Sequence, residues 1–129
     1  MITVTPIQEK SRQKELCARC GISFQVNLLA YEAKNDKGEF AGICQFGLAP
    51  DGGHIYDLAT PDKNDPDDAL FVMGRAALNF VDLCGVKTAF FDGEAADDAL
   101  LRRIGFSADK NGRYAVSLEG FFNHPCQHC

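Results

Sequence analysis

No apolar run in this chain of 129 residues approaches the ~20 residues that a bilayer-spanning helix needs, so a membrane span is excluded at the outset. An excess of basic charge is also missing. Thirteen Lys and Arg stand against 18 Asp and Glu, a net charge of −5. Such a balance attracts neither nucleic acid nor an anionic membrane, and Arg102-Arg103, an isolated basic pair, is too small to reverse it. The opening MITVTPIQEK lacks a charged segment followed by an apolar one, so the expectation is a cytoplasmic protein, not an exported one. Internal repeats, low-complexity tracts and Pro/Gly-rich linkers are absent too, which predicts one domain over residues 1–129. What is present, 46% hydrophobic and 24% charged residues, suffices for a buried core and argues against disorder.

Periodicity then gives the order of elements. Thr3 to Ile7 alternates weakly, as a strand does, and Gln8 to about Cys20 carries long polar helix formers with Gly21 as a stop. Residues 22–27 fit neither pattern. LLAYEAK, EFAGICQFGLA and HIYDLAT read as three strands joined by the turns NDKG and PDGG, an antiparallel meander. Asp67 to Cys84 follows as a helix whose polar positions, Asp68, Arg75, Asn79 and Asp82, form one narrow stripe, so most of its surface packs on a sheet. VKTAFF is a short apolar strand suited to a sheet interior. A strand, a helix and a strand make a right-handed crossover, so HIYDLAT and VKTAFF should be parallel. EAADDALLRRIGF is a second helix with acids early and arginines late, as the helix dipole favours. Segments around Phe106 and RYAVSLEGFF close a hairpin through DKNG. The fold class is therefore α+β: a mixed, mostly antiparallel sheet with one central parallel pair and helices on its faces.

The stretch LATPDKNDPDDALFVMG, Leu58 to Gly74, runs from a strand through a polar loop into an apolar helix. Many α/β proteins bind a phosphate at such a junction, using glycines and unpaired helix N–H groups. Here the loop carries Asp62, Asp65, Asp67 and Asp68 against Lys63 alone, with no glycine before Gly74.

The order and spacing of DLATP before an apolar helix, VKTAFFDG, and LLRRIGF before a hairpin resemble the GCN5-related N-acetyltransferase (GNAT) family over residues 28–122. The N-terminal portion leaves room for one helix where the family usually has two. The resemblance implies an acetyl-CoA site where the parallel strands splay apart, with the pantetheine arm on the backbone of Leu58, Ala59 and Thr60. It implies a pyrophosphate loop of the form Gln/Arg-x-x-Gly-x-Gly/Ala, which places Asn64, Asp67, Asp68 and Ala69 at the cofactor; only Ala69 matches that pattern. An Asp cap occupies the helix amides a phosphate needs, and each carboxylate repels a phosphate by roughly 1 kcal/mol even at water-like dielectric. Leu101 stands where many members place a tyrosine that protonates the leaving thiolate, and Glu94 where they often place an asparagine. Asp57 occupies a position where members often carry an acid that acts through water as general base.

Two function classes follow. One is an acetyl-CoA-dependent N-acetyltransferase acting on a small-molecule or peptide amine. The other is a non-catalytic binding or regulatory module that kept the fold and lost the cofactor site. Acyl transfer to an amine needs a group that takes the amine's proton. Asp57 is the leading candidate on HIYDLAT, whose alternation sets Ile55, Asp57 and Ala59 on one face and His54, Tyr56 and Leu58 on the other. Glu32 is a lesser candidate, and His54 reads as an exposed strand-end residue. Two C-x-x-C pairs, Cys17/Cys20 and Cys126/Cys129, have the ligand types for a thiolate zinc site, with His124 and His128 as substitutes. The alternative is a set of reduced thiols, Cys17 and Cys20 packing the first helix, because more than a hundred residues separate the pairs. Cys44 and Cys84 read as core residues, and Phe121 and Phe122 as cover for the sheet.

Overall fold

A computed structural model describes residues 1–62, 68–93 and 97–122. Strand β1 (Thr3–Pro6) leads into helix α1 (Lys10–Arg19), then the meander β2 (Leu29–Lys34), β3 (Phe40–Ala49) and β4 (Gly52–Ala59). Helix α2 (Asp68–Leu83) crosses over to β5 (Thr88–Phe91). Helix α3 (Asp98–Ile104) and the hairpin β6 (Ser107–Ala108) and β7 (Tyr114–Ser117) follow. The seven strands form one sheet in the order β1-β2-β3-β4-β5-β7-β6. Every neighbouring pair is antiparallel except β4 and β5, the parallel pair that the crossover requires.

Helix faces follow from apolar spacing. Ala69, Met73, Gly74, Ala77, Leu78 and Val81 of α2 are buried, a stripe at helical period. They pack with Cys44, Phe46 and Ile55 of the sheet and with Leu100, Leu101 and Ile104 of α3. On the opposite face α1 sets Leu16 and Cys17 against Ile43 and Ala30. The acidic-to-basic order of α3 is realised as an Asp97 cap, which accepts from the Ala99 amide, and as Arg102 and Arg103 in the last turn. Helix α3 is shorter than the EAADDALLRRIGF pattern suggests, with residues 94–96 outside the described set. Its stop is Gly105, at φ 133°, where a Cβ would also strike the Phe121 ring.

Two details correct the sequence expectations. Cys84 is exposed at the end of α2 and lies outside the core. The alternation along β4 is broken, because Phe46 pairs with Ile55 while Gln45 pairs with Asp57, leaving Tyr56 as the extra residue of a β-bulge. Ile55 and Leu58 therefore pack on the α2 face, while Ala59 joins the α1 side. Ile55 does not share a face with Asp57 and Ala59 as strict alternation would have it.

Close packing of α2 on β4 depends on Gly53, since a Cβ there would lie 2.5 Å and 2.7 Å from the two Val81 methyls. Val81 is 1% exposed and β-branched, so it has little room to yield. Gly53→Ala should cost about 1–3 kcal/mol by overpacking. Pairing it with Val81→Ala should recover part of that loss, as denaturant unfolding of the single and double variants would measure.

Candidate functional site

Pairing of β4 with β5 covers Gly53–Ile55 against Ala89–Phe91, and the Asp92 amide adds a last bond to the Ile55 carbonyl at 2.8 Å. Past that point β4 continues through Tyr56, Asp57, Leu58 and Ala59 beside β3 alone, among the described residues. The parallel strands thus part at the bulge. Gly93 follows β5 close beside β4, where a Cβ would lie 2.8 Å from the Tyr56 carbonyl oxygen and 2.5 Å from the Phe91 ring, so glycine lets the two segments pack closely at this point.

The sequence candidates distribute as follows. Leu58 pairs with Cys44 and Ala59 with Ile43, both on the parting stretch, and the Thr60 hydroxyl donates to the Asp62 carbonyl at 2.8 Å. Asp68 opens α2, and Ala69 is buried in the core. Asn64 and Asp67, with Lys63, Asp65 and Glu94, lie outside the described residues. Leu101 is fully buried against α2.

Asp57 stands immediately after the bulge, and its Oδ2 accepts from Gln45 Nε2 at 2.7 Å. Its charge is felt on both sides of the strand. Burial, then Asp57, then Cys20 push the Cys17 thiol up to about 11. Burial and then Asp57 also raise Cys44, which is wholly buried. Such thiols stay protonated near neutral pH, so neither is a thiolate nucleophile. Cys20 is likewise raised to about 11, by burial. Cys126, Cys129, His124 and His128 lie outside the described residues. Among those described, no group of three or more His, Cys, Asp or Glu is arranged to hold a metal ion.

Glu32 is committed elsewhere. Arg12 of α1 grips it through two bonds, Nε to Oε1 at 3.0 Å and Nη2 to Oε2 at 2.7 Å. Glu32 is 5% exposed, so this bidentate pair ties α1 to β2 and is no proton acceptor for a substrate.

His54 overturns the expectation of an exposed strand end: it is 6% exposed and bonded at both nitrogens. Nδ1 meets Asp92 Oδ2 at 2.5 Å and Nε2 meets Asp51 Oδ1 at 2.7 Å. Its ring lies against Tyr56 and Phe90. Arg113 approaches the same two carboxylates and lies 3.8 Å over the Phe90 ring. Burial alone lowers the His54 pKa, but the bonds to Asp51 and Asp92 outweigh it and the net shift is upward. Carboxylates on both nitrogens call for an imidazolium donating two protons. His54 is thus a clamp joining the start of β4, the end of β5 and, through Arg113, the last hairpin. The sequence held one signal for it: a histidine with aspartates three residues before and at the end of the partner strand.

A folded-state pKa above the unfolded 6.5 stabilises the protein fully below that value, and the contribution fades as pH rises through the raised folded pKa. The stability difference between the native chain and a His54→Asn variant should therefore be largest below about pH 6.5 and shrink as pH rises through the raised folded-state pKa. A difference that stays flat in urea unfolding over that range would show that His54 is not charged in the fold.

No protein-family model matches this chain, and no curated protein is similar to it in sequence. Solved structures do match. The IAA acetyltransferase from Bacillus cereus ATCC 14579 superposes with a TM-score of 0.72 at 16% identity, over 92% of this chain and 100% of that one. Mutant forms of a spermidine/spermine N-acetyltransferase from Vibrio cholerae give 0.70 at 7% identity, over 95% and 98% of the two chains. A GNAT family N-acetyltransferase from Escherichia coli, in complex with CoA, gives 0.67 at 16% identity, over 95% and 84%. The chain has the GNAT fold. The likeness noted in DLATP, VKTAFFDG and LLRRIGF is borne out as a likeness of fold.

Proposed function

We propose that this protein is an acetyl-CoA-dependent N-acetyltransferase acting on an amine. The observation that supports it most is the parting of β4 from β5 at a bulge, with the Asp57 carboxylate beside the opening. Solved structures that share this fold include N-acetyltransferases, one of them in complex with CoA, in keeping with this reading.

The residues present fit one half of acetyl-CoA better than the other. Among the described residues, β5 leaves the edge of β4 unpaired at Leu58 and Ala59, and with Thr60 beyond them this edge offers backbone groups to the amides of the pantetheine arm. The first turn of α2 offers its dipole to the pyrophosphate, but Asp68 stands in that turn. Bound acetyl-CoA supplies an activated acyl carbonyl. Asp57 takes the proton that the attacking amine gives up, directly or through one water. The backbone at the bulge offers N–H groups toward the acyl oxygen. Transfer is direct, so no cysteine acts as nucleophile, in keeping with the raised thiol pKa values of Cys17 and Cys20.

Calorimetry with acetyl-CoA tests this reading first, and no detectable binding at about millimolar ligand would sink it. Asp68→Asn should tighten binding by about fivefold, the equivalent of roughly 1 kcal/mol for one carboxylate. Asp57→Asn should leave acetyl-CoA affinity within about twofold and lower kcat toward amines by about 100-fold, a size typical of general-base loss.

A further inference from the structure

Two glutamines without solvent exposure, Gln13 and Gln45, meet between α1 and the sheet. A buried amide left without partners costs about 1–3 kcal/mol, so a pair of them needs a reason. In Gln45 every hydrogen-bonding position is used. Nε2 donates to the Ser23 carbonyl at 2.9 Å and to Asp57 Oδ2 at 2.7 Å. Oε1 accepts from Gln13 Nε2 at 2.9 Å and from the Gln25 amide at 3.1 Å.

Two of these partners are backbone groups, which fixes the orientation of the carboxamide. A carbonyl only accepts and an N–H only donates, so turning the amide over would set oxygen against Ser23 O and nitrogen against Gln25 N–H. The N–H aimed at Asp57 is therefore dictated by the loop of residues 21–28 and not by Asp57 itself. Gln13 is held in turn by Lys10, whose Nζ donates to Oε1 at 3.1 Å. The residues flanking Gln45 on β3, Cys44 and Phe46, pack in the cluster on the α2 face, so Gln45 projects to the other face, toward α1 and the loop of residues 21–28.

We propose that Gln45 is a positioning residue for acyl transfer, holding the Asp57 carboxylate where it receives the amine's proton. The inference rests on the acetyltransferase reading above. In the step it serves, the amine nitrogen bonds to the acyl carbon and the C–S bond breaks with its electron pair staying on sulfur. The proton leaving nitrogen passes to Asp57 and from there, through water, to the thiolate, so amine and thioester become amide and thiol. Rotation of the carboxylate about its own side-chain bonds would lose the proton's path, and one short bond from a fully constrained donor removes that freedom.

The test has two arms on the full chain. In the first, the Gln45 side-chain amide resonances are followed by NMR through an acid titration of the native protein and of Asp57→Asn. Both Nε2 protons should be slow to exchange, and one should shift as Asp57 protonates, a response missing in the variant. Fast exchange of both protons, or the same titration in Asp57→Asn, overturns the pairing. The second arm measures acetyl-CoA turnover against polyamine, arylamine and N-terminal alanine peptide probes. Gln45→Met should lower kcat about 10- to 100-fold with the acetyl-CoA KM within about twofold. The double variant with Asp57→Asn should be no slower than Asp57→Asn alone, because both remove one function. Independent, additive losses would overturn the positioning role while leaving Asp57 as the base. If Asp57→Asn turns over like the native protein, the base assignment fails and the inference with it. Acetyl-CoA that does not bind at all fails the acetyltransferase reading itself, whatever the NMR arm shows.

Discussion

Among the described residues, strand β4 is bonded on both edges only as far as Ile55; beyond that residue it keeps β3 and loses β5. The rest of the candidate site depends on that limit. A strand interior offers a ligand nothing, because its polar groups are already paired. The bulge at Tyr56 turns the following residues, so that Asp57 comes to lie on the α1 side while Leu58 points toward α2. Gly93 lets the chain leaving β5 pass close to the Tyr56 carbonyl. Below the opening the sheet is locked by Phe91 in the core and by the His54 clamp, which joins Asp51 and Asp92 across the two strands. The strands part above a rigid base, which is what a shaped cleft needs.

The α1 side of the sheet answers a different demand. Residues 21–28 run without helix or strand, so their backbone groups must find partners elsewhere. Side chains supply them: Gln45 bonds Ser23 and Gln25, Gln13 reaches the carbonyls of Gln25 and Leu28, and Lys10 also reaches Leu28. Arg12 and Glu32 clip the same helix to β2. One helix with a pinned loop thus occupies the N-terminal region, where the sequence leaves room for one helix and the family it resembles usually has two. The amide that pins the loop is the one that reaches Asp57, so the loop's conformation and the carboxylate's orientation are coupled through a single side chain.

Periodicity and turn chemistry made most of the fold legible. The meander, the long crossover helix, the parallel pair and the final hairpin all follow from alternation, from helical spacing or from DKNG-type turns, and each forms near its expected limits. The site was harder to read for a physical reason. A β-bulge adds one residue without changing composition, and HIYDLAT alternates as smoothly as an unbulged strand would. The partners of Asp57 and His54 are also distant in sequence: Gln45 comes from a neighbouring strand, Asp92 from across the parallel pair and Arg113 from the last hairpin. Gln45 did carry a signal in its context, as the one amide in the apolar run GICQFG. What gave no signal was the donor direction of that amide, since backbone atoms of a loop without pattern set it.

The acids before α2 pose a question of magnitude. One carboxylate opposes a phosphate by roughly 1 kcal/mol when both are in water, and an amide hydrogen bond on an open strand edge contributes about 0.5–1.5 kcal/mol net. In the acetyl-CoA complex proposed above, two or three such bonds along Leu58 to Thr60 would offset the repulsion from Asp68 and leave a small surplus. Under the proposed reading, such a site would take its affinity from the pantetheine arm and little from the pyrophosphate. It would discriminate CoA thioesters from free nucleotides, which bring the phosphates without the arm. The same arithmetic would fit a loop with no glycine between Leu58 and Gly74. Glycines earn their place in a phosphate loop by letting backbone N–H groups approach the anion, and where the anion contributes little that constraint on the sequence is relaxed.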